Sequence, residues 1–319
     1  MTELPVDVPG ERAGSGPGIH SLDAFVLQVP DLEVARNFYI RFGLDVKEEG
    51  EGLVLRTFGQ GHVWGRVIEG SRKQTHHLSL GIYEADLAGF KRKFEERGIR
   101  RIDAPLGWDS DGIWFRGFDD TVMELRVTGK SSPDFKSPGH WSDEGREPRG
   151  TRLGHASLTP VLPERLSHCL FFSSDVPAAT AFCRDILGMQ LSDRCGDVLA
   201  FLHGAHGSDH HMIAFAKSSG PGFHHPSWQV GSIEEVGRGA MLMADAGFDK
   251  GWGLGRHVIG SNYFHYVQDP WGGFCEYSFD IDYVPREHVW DTKDFPPVDA
   301  LAIWGPEAPA DFVHNYEAD

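Results

Sequence analysis

The sequence is poor in cysteine and in basic residues for its length. Its 319 residues include four cysteines, none of them in a CxxC pair. This argues against a disulfide framework or a cysteine zinc site, so we expect reduced cysteines in the core. Lys and Arg number 30 against 47 Asp and Glu, which gives a net charge of −17. Such an acidic chain is not expected to bind nucleic acid or an anionic membrane surface.

Long apolar runs are also missing. No stretch of the chain approaches the ~20 apolar residues that a membrane-spanning helix needs. The first residues, MTELPVDVPGERAGSGPG, lack the basic segment and apolar run of a secretory signal. The sequence therefore predicts a soluble, cytoplasmic protein with no membrane partner. Its length allows two domains, at a typical ~150 residues each.

The sequence contains an internal repeat. Residues 31–44, DLEVARNFYIRFGL, resemble residues 175–189, DVPAATAFCRDILGM. Each segment follows an apolar strand pattern, begins with Asp at a helix N-cap position and stops at a Gly. Three pairs of residues recur at a nearly constant separation: Asp31 with Asp175, His77 with His225, and Glu124 with Glu276. Duplication of a whole unit explains this recurrence most simply.

The repeat predicts an α+β protein of two similar domains. We expect each copy to contain two β-α-β-β-β units whose sheet curls around a central pocket. Residues 129–165 are rich in Pro, Gly and charge without an apolar period, which is typical of a linker. The predicted organisation is a first domain over 1–128, this linker, a second domain over 166–284 and a tail over 285–319. Trp and Leu residues in the tail indicate that it packs on the second domain.

Three residues of the second copy are candidate metal ligands. His168, His225 and Glu276 lie in three separate apolar strand patterns, SHCLFF, HHPSWQV and FCEYSF. A Glu on a buried strand is costly unless it is paired or binds a metal. Two imidazoles and one carboxylate form the facial triad of non-haem Fe(II) oxygenases, which leaves positions open for substrate and O2. The alternative is that three unrelated polar residues happen to lie on core strands.

Longer segments around these residues are similar to a known family. They are SHCLFFSSDVPAATAFCRDILGMQLSD, DHHMIAF, FHHPSWQV and GLGRHVIGSNYFHYVQDPWGGFCEYS. Together they resemble the catalytic domain of type I extradiol ring-cleavage dioxygenases, of the vicinal oxygen chelate superfamily. The first half resembles the non-catalytic N-terminal domain of that family more loosely. The resemblance implies two tandem vicinal oxygen chelate domains and a homo-oligomeric enzyme that cleaves a catechol with O2.

The resemblance also implies which residues hold the metal. His168, His225 and Glu276 match the ligands of an Fe(II) ion, with Mn(II) as an alternative. The ligand of the histidine doublet is its second member in this family, so His224 is expected to point away from the metal.

Three further residues match groups that act on the substrate. His211, the second histidine of DHHMIAF, matches the acid/base that exchanges protons with the catechol. His257 and Tyr266 match residues that hydrogen-bond the bound catecholate and the oxygen-derived species. The other histidines of this region are expected to be structural or exposed: His203, His206, His210 and His265.

Two other functions are alternatives to ring cleavage. A glyoxalase-like isomerase or lyase would use a similar metal site without O2, usually with a fourth protein ligand. A non-catalytic protein of the same superfamily would bind a small aromatic molecule without needing metal ligands or an acid/base.

The first copy repeats the ligand pattern incompletely. His77 and Glu124 occupy two of the three ligand positions, but Ala24 stands at the third. His20 or His76 could complete a second metal site. However, His20 lies ahead of the matching position, and His76 should face away from His77 because adjacent strand residues alternate. We therefore expect a metal-free first domain that serves packing and assembly.

Overall fold

The chain folds as two successive halves of similar design. The structure, a computed structural model, describes residues 16–139 and 158–318. The first half contains β1 (Ser21–Val29), α1 (Leu32–Phe42), β2 (Asp45–Glu49), β3 (Gly52–Arg56), β4 (Gly65–Glu69), β5 (Gln74–Ile82), α2 (Glu84–Arg97), β6 (Ile113–Arg116) and β7 (Val122–Val127). Single turns of 3-10 helix lie at Phe118–Asp120 and Pro297–Asp299.

The second half continues with twelve strands and two helices among the described residues. They are β8 (Arg165–Ser173), α3 (Val176–Asp185), β9 (Gln190–Cys195), β10 (Leu199–His203), β11 (Ser208–Asp209), β12 (Ile213–Lys217), β13 (Gly222–Gln229), α4 (Ile233–Asp245), β14 (Gly251–His257), β15 (Tyr263–Gln268), β16 (Phe274–Phe279), β17 (Tyr283–Val284), β18 (Lys293–Asp294) and β19 (Ala302–Trp304).

Local sequence determines where the first helix of each half begins. The Asp31 carboxylate accepts a 2.9 Å hydrogen bond from the N–H of Val34 and caps α1. Asp175 caps α3 in the same way, through the N–H of Ala178 at 3.0 Å. Helix α1 ends at Gly43, whose φ of 99° is left-handed and would strain any residue with a side chain. The predicted N-caps of both copies are thus observed.

Each half builds one sheet with matching central strands. The strand order is β2-β3-β4-β1-β5-β7-β6 in the first sheet and β18-β9-β10-β12-β8-β13-β16-β15-β14-β19 in the second. Strands β1 and β5 pair antiparallel at the centre of the first sheet, as β8 and β13 do in the second. A parallel neighbour follows in both cases, β7 beside β5 and β16 beside β13.

The repeated unit differs in one of its four occurrences. Three units have three sheet strands after the helix: β1-α1-β2-β3-β4, β8-α3-β9-β10-β12 and β13-α4-β14-β15-β16. The fourth, β5-α2-β6-β7, has two such strands, and the segment before β6 contributes an isolated bridge between Arg101 and Phe115. Pro105 and Gly107 follow that bridge, and both residues disfavour a continuous strand.

The two halves share a hydrophobic core. Phe42 of α1 stacks on Tyr277 of β16 with ring centroids 3.9 Å apart, and the Tyr277 hydroxyl donates to the Phe42 carbonyl at 2.8 Å. A buried ion pair joins Lys73 to Asp269 at 2.8 Å across the same interface. The first half therefore braces β16, the strand that carries Glu276.

The C-terminal tail extends the second sheet and reaches the first half. Strand β18 pairs with β9 and β19 pairs with β14, so the tail adds an outer strand at each edge. Near the chain end, the Glu317 carboxylate accepts from the backbone N–H groups of Thr75, at 2.9 Å, and Phe223, at 3.0 Å. The tail thereby ties β5 to β13. The predicted linker lies partly outside the described residues, and its last residue, Arg165, begins β8.

The four cysteines are free and buried, as expected. Burial raises the pKa of the thiols of Cys169, Cys183 and Cys275, which keeps them protonated at neutral pH. Within the described ranges, no helix is both long and apolar enough to cross a bilayer.

Candidate metal centre and active site

Three neighbouring strands bring the predicted ligands to one face of the second sheet. Ser227 of β13 lies opposite His168 of β8 on one side and opposite Glu276 of β16 on the other. Residues directly opposed across a ladder share a sheet face, and so do residues two apart on one strand. His225, two residues before Ser227, therefore faces the same side. Strand pairing thus brings together residues that lie far apart in the sequence.

The ligand atoms of the three side chains converge. Glu276 Oε2 lies 3.2 Å from His168 Nε2 and 3.4 Å from His225 Nε2. The three residues are buried, and one ligand atom from each lies within 4.8 Å of the others. His225 Nε2 and Glu276 Oε2 have no hydrogen-bond partner among the described residues. Buried polar atoms are normally paired, so these two atoms are available to bind a metal ion.

The protonation states of the cluster suit a cation. Burial alone would raise the pKa of Glu276, but the imidazoles of His168, His225 and His257 hold it well below its usual range. Burial lowers the pKa of His225 to about 4, against the opposing effect of Glu276. The cluster therefore presents a carboxylate and a neutral His225 imidazole at neutral pH, the forms in which these side chains bind metals.

Asn262 orients the carboxylate from the side away from the imidazoles. Its amide donates to Glu276 Oε1 at 3.2 Å and to the Ser278 hydroxyl at 2.9 Å. Because Oε1 is held in this way, Oε2 is the oxygen that faces the two histidines. Asn262 is not among the site residues predicted from the sequence, although it lies within the GSNYFHY segment that contributes to the family resemblance.

His224, the first histidine of the doublet, borders an apolar cavity beside the cluster, but its Nε2 is bonded to the tail. Its Nε2 lies 2.7 Å from the carbonyl oxygen of Phe312, and its Nδ1 lies 2.6 Å from Nδ1 of His225. The ring packs against Phe172 and Phe274, with centroid distances of 5.0 and 5.3 Å. Burial lowers the pKa of His224 well below its ordinary value, so this imidazole is neutral.

His211 lies beside the ligand cluster. Its ring centroid is 4.1 Å from that of His168, and it borders the same cavity. Its Nδ1 is 3.1 Å from Nδ1 of His210, whose Nε2 is 2.8 Å from the carboxylate of Asp193. Burial, with His168 acting in the same direction, lowers the pKa of His211 well below its ordinary value. The neutral imidazole can therefore accept a proton at neutral pH.

His257 and Tyr266 lie on the opposite side of the cluster. His257 Nε2 is 2.9 Å from the Tyr266 hydroxyl and 3.7 Å from Glu276 Oε1. The other ring nitrogen, Nδ1, donates to the carbonyl of Leu301 in the tail at 2.7 Å. Burial, with a further contribution from Glu276, raises the pKa of Tyr266 well above its ordinary value. The Tyr266 phenol therefore keeps its proton.

An apolar cavity adjoins these polar groups. Its apolar lining consists of Leu170, Leu199, Phe201, Ala216, Trp252, Ile259, Ala300, Leu301, Phe312 and Val313. Apolar walls beside a few convergent polar groups are typical of a small-molecule site. The tail supplies four of these wall residues, namely Ala300, Leu301, Phe312 and Val313. A wider, open groove between the halves, near His76 and Glu317, contains none of the predicted site residues.

Comparison with known proteins identifies the family. A family model described as the Glyoxalase/Bleomycin resistance protein/Dioxygenase superfamily matches residues 165–277, which include all three ligand candidates. Metapyrocatechase 2 of Cupriavidus necator is 45% identical over 300 residues, covering 94% of this chain and 93% of that protein. The chain belongs to the type I extradiol dioxygenases. The resemblance predicted from the sequence is confirmed.

Solved structures of low identity share the fold of this extradiol dioxygenase. The Mn(II)-bound glyoxalase from Novosphingobium aromaticivorans has a TM-score of 0.73 at 21% identity, covering 93% of this chain and 95% of that one. The 2,2',3-trihydroxybiphenyl 1,2-dioxygenase from Sphingomonas wittichii has a TM-score of 0.71 at 20% identity, covering 92% and 100%. The predicted α+β class with tandem vicinal oxygen chelate domains is confirmed.

In the second half, His168, Ser227 and Glu276 lie opposite one another and form a row across three strands. The first half of the dioxygenase contains a counterpart of this row. Ala24 of β1 lies opposite Ser79 of β5, which lies opposite Glu124 of β7. Ala24 therefore occupies the position that His168 has in the second half. The Ser79 hydroxyl donates to the Glu124 carboxylate at 2.8 Å, and the Ser110 hydroxyl donates to its other oxygen. Both carboxylate oxygens of the first copy are thus hydrogen-bonded.

Neither of the two extra histidines joins that row. His20 hydrogen-bonds the Ser21 hydroxyl at 2.7 Å and the Thr128 carbonyl at 3.1 Å. His76 Nδ1 lies 2.6 Å from Nδ1 of His77. The His, Cys, Asp and Glu side chains of the described residues form a potential three-ligand cluster at His168, His225 and Glu276, and at no second place. A metal-free first domain stays a prediction.

Proposed function

We propose that this enzyme opens a catechol ring beside its two hydroxyls, adding both atoms of O2, with Fe(II) held by His168, His225 and Glu276. The proposal depends chiefly on the convergence of His225 Nε2 and Glu276 Oε2, which are buried and without hydrogen-bond partners in the described ranges. The 45% identity to a metapyrocatechase over 94% of the chain supports the reaction type. The same donor set accommodates Mn(II).

When bound, the ion supplies adjacent open positions for the catechol oxygens and O2, and a route for electrons between them. His211 then acts as the general acid/base. Its neutral imidazole accepts a proton from a catechol hydroxyl and returns one as the oxygen–oxygen bond breaks. The contact between His211 and His168 supports this role because it places His211 next to the ligand cluster.

Tyr266 and His257 stabilise negative charge on the substrate oxygens. The phenol of Tyr266 remains protonated and can donate a hydrogen bond throughout the reaction. Nδ1 of His257 donates to the Leu301 carbonyl, so Nε2 accepts from the Tyr266 hydroxyl or, when the ring is protonated, donates to a substrate oxygen. The apolar cavity walls hold the aromatic ring and exclude water.

We place the boundary between an N-terminal non-catalytic domain and the catalytic domain within residues 129–165, and we expect a cytoplasmic homo-oligomer. These expectations are tested by limited proteolysis, cell fractionation and light scattering of the purified enzyme.

The reaction is tested by loading the protein anaerobically with Fe(II) and then measuring O2 uptake with a panel of substituted catechols. We expect one O2 consumed for each ring opened and a yellow ring-opened product that contains both oxygen atoms from 18O2. The variant His225→Ala, treated identically, should consume no O2. Iron-loaded protein that ignores every catechol but isomerises a thiol adduct of an α-ketoaldehyde would instead support a glyoxalase-like activity.

A further inference from the structure

We propose that His224 is a positioning residue that fixes the tautomer of His225, and that the backbone carbonyl of Phe312 in the tail fixes His224 in turn. The inference rests on the proposed function in one respect, because it takes His225 Nε2 to be a metal ligand. It assigns to the first histidine of the doublet a role that the sequence did not indicate.

The hydrogen bonds determine where each proton lies. A carbonyl oxygen only accepts, so His224 Nε2, 2.7 Å from the Phe312 oxygen, carries a hydrogen. In a neutral imidazole the other nitrogen is then an acceptor, which makes His224 Nδ1 an acceptor. His225 Nδ1, 2.6 Å away, must be the donor in that contact. Its hydrogen is therefore on Nδ1, and the lone pair is on Nε2, which faces Glu276 Oε2 at 3.4 Å.

The surroundings of His224 hold its ring in place. The side chain is buried and packs against Phe172, Phe274 and the ring of Phe312, whose centroid is 4.8 Å away. This packing keeps Nε2 against the Phe312 carbonyl and Nδ1 against Nδ1 of His225.

The tail is held where its carbonyl meets His224. The Asn315 amide donates to the carbonyls of Gly220, at 2.9 Å, and Pro221, at 3.1 Å, just before β13. Phe312 also contributes its ring to the cavity wall, 4.9 Å from the ring of Tyr266. Phe312 thus contacts His224 through its backbone carbonyl and lines the cavity with its side chain.

The test compares two variants of nearly equal size, His224→Leu and His224→Asn, by titrating metal-free protein with Mn(II) and measuring free Mn(II) by electron paramagnetic resonance. An Asn side-chain oxygen lies close to the position of His Nδ1 and can accept from His225, whereas Leu cannot. Loss of the acceptor should weaken Mn(II) binding about 10- to 100-fold, the usual effect of removing a partner of a metal-bound histidine. The Asn variant should bind nearly as tightly as the wild type.

His76→Leu is the matched control. His76 makes the same 2.6 Å Nδ1 contact with His77 in the first half, so its replacement should leave Mn(II) binding unchanged. Equal weakening in the Leu and Asn variants, or wild-type affinity in the Leu variant, would overturn the proposal. If wild-type protein and His225→Ala bind Mn(II) equally, the proposed metal site itself fails instead.

A second pair of variants covers the case in which His224→Leu does not fold. Truncation after Asp311 removes the Phe312 carbonyl, whereas Phe312→Ala keeps the carbonyl and removes the ring. We expect weaker Mn(II) binding in the truncated protein and nearly unchanged binding in Phe312→Ala. Unchanged binding after truncation contradicts the role of the tail, because His224 would then need no fixed partner.

Discussion

The two halves of the molecule place a serine and a glutamate in the same register but surround the carboxylate differently. In the first half, Ser79 and Ser110 donate hydrogen bonds to the two oxygens of Glu124. In the second half, Asn262 donates to one oxygen of Glu276, and the other faces two imidazoles without a hydrogen bond among the described residues. The carboxylate of the second half therefore has an oxygen with no competing hydrogen bond from the described residues, and the carboxylate of the first half does not.

The serine of the row shows the same difference. The Ser79 hydroxyl is bonded to Glu124 and to the Asp23 carboxylate, at 3.0 Å. Its counterpart Ser227 is buried, and its hydroxyl has no partner within the ranges that the structure describes. In the first half these polar groups therefore hydrogen-bond one another. In the second half, atoms of Ser227, His225 and Glu276 have no hydrogen-bond partner among the described residues. That contrast gives four predictions, in order of decreasing effect.

Removing His168 should have the largest effect, because His168→Ala gives the row of the second half the same residues as the row Ala24, Ser79 and Glu124 of the first. We expect Fe(II) to be lost on gel filtration and O2 uptake with catechol to fall below detection, since one carboxylate and one imidazole bind a divalent ion weakly. Metal content after filtration and O2 electrode traces check this. Retention of iron at wild-type levels would mean that another group completes the site.

Replacing His211 should slow turnover while leaving the metal in place. We expect His211→Asn to lower kcat by about 10²- to 10⁴-fold, the usual contribution of a general acid/base. Iron content and the Kd for catechol under anaerobic conditions should remain close to wild type, because this side chain is adjacent to the ligands and is not one of them. Loss of iron from this variant would reassign His211 as a ligand.

Glu124→Gln should affect stability and leave catalysis unchanged. The two serine hydroxyls would lose a charged acceptor, which is expected to lower the free energy of unfolding by about 1 to 2 kcal/mol. Urea denaturation of metal-free protein measures the change, with kcat/KM and metal content as controls. A large fall in activity with normal stability would show that the first half takes part in the reaction.

Ala24→His should have the smallest effect, although it restores the third ligand type to the first half. No second metal ion is expected to bind, because the hydrogen bonds from Ser79 and Ser110 to the Glu124 oxygens compete with it. Metal analysis after dialysis against excess Mn(II) checks the result. Binding of a second ion by this single variant would show that the missing histidine alone separates the two halves.

Much of the fold and the ligand set could be predicted from local sequence and from the repeat. The Asp31 and Asp175 caps, the duplicated strand patterns and the alignment of Ala24 with His168 depend on spacing along the chain, which the strand register preserves. Side chains whose roles depend on distant partners could not be predicted. His224 acquires its role from a carbonyl in the tail, 88 residues later in the sequence.

The tail and the shortened unit show the same limit. The aromatic residues of the tail indicated packing, but a chain without regular periodicity does not specify which surface it covers. The absent strand before β6 depends on Pro105 and Gly107, which the overall repeat pattern conceals. Hydrogen bonds that backbone carbonyls accept, such as the one that Leu301 accepts from His257, leave no residue-type signal at all.

The most direct test of the account is the metal stoichiometry of three proteins: wild type, Glu276→Ala and Glu124→Ala. Each is freed of metal, loaded anaerobically with Fe(II), passed through a desalting column and measured by atomic absorption. The account predicts one iron per chain in the wild type and in Glu124→Ala, and none in Glu276→Ala. Two irons per wild-type chain, or iron retained by Glu276→Ala and lost by Glu124→Ala, would contradict it.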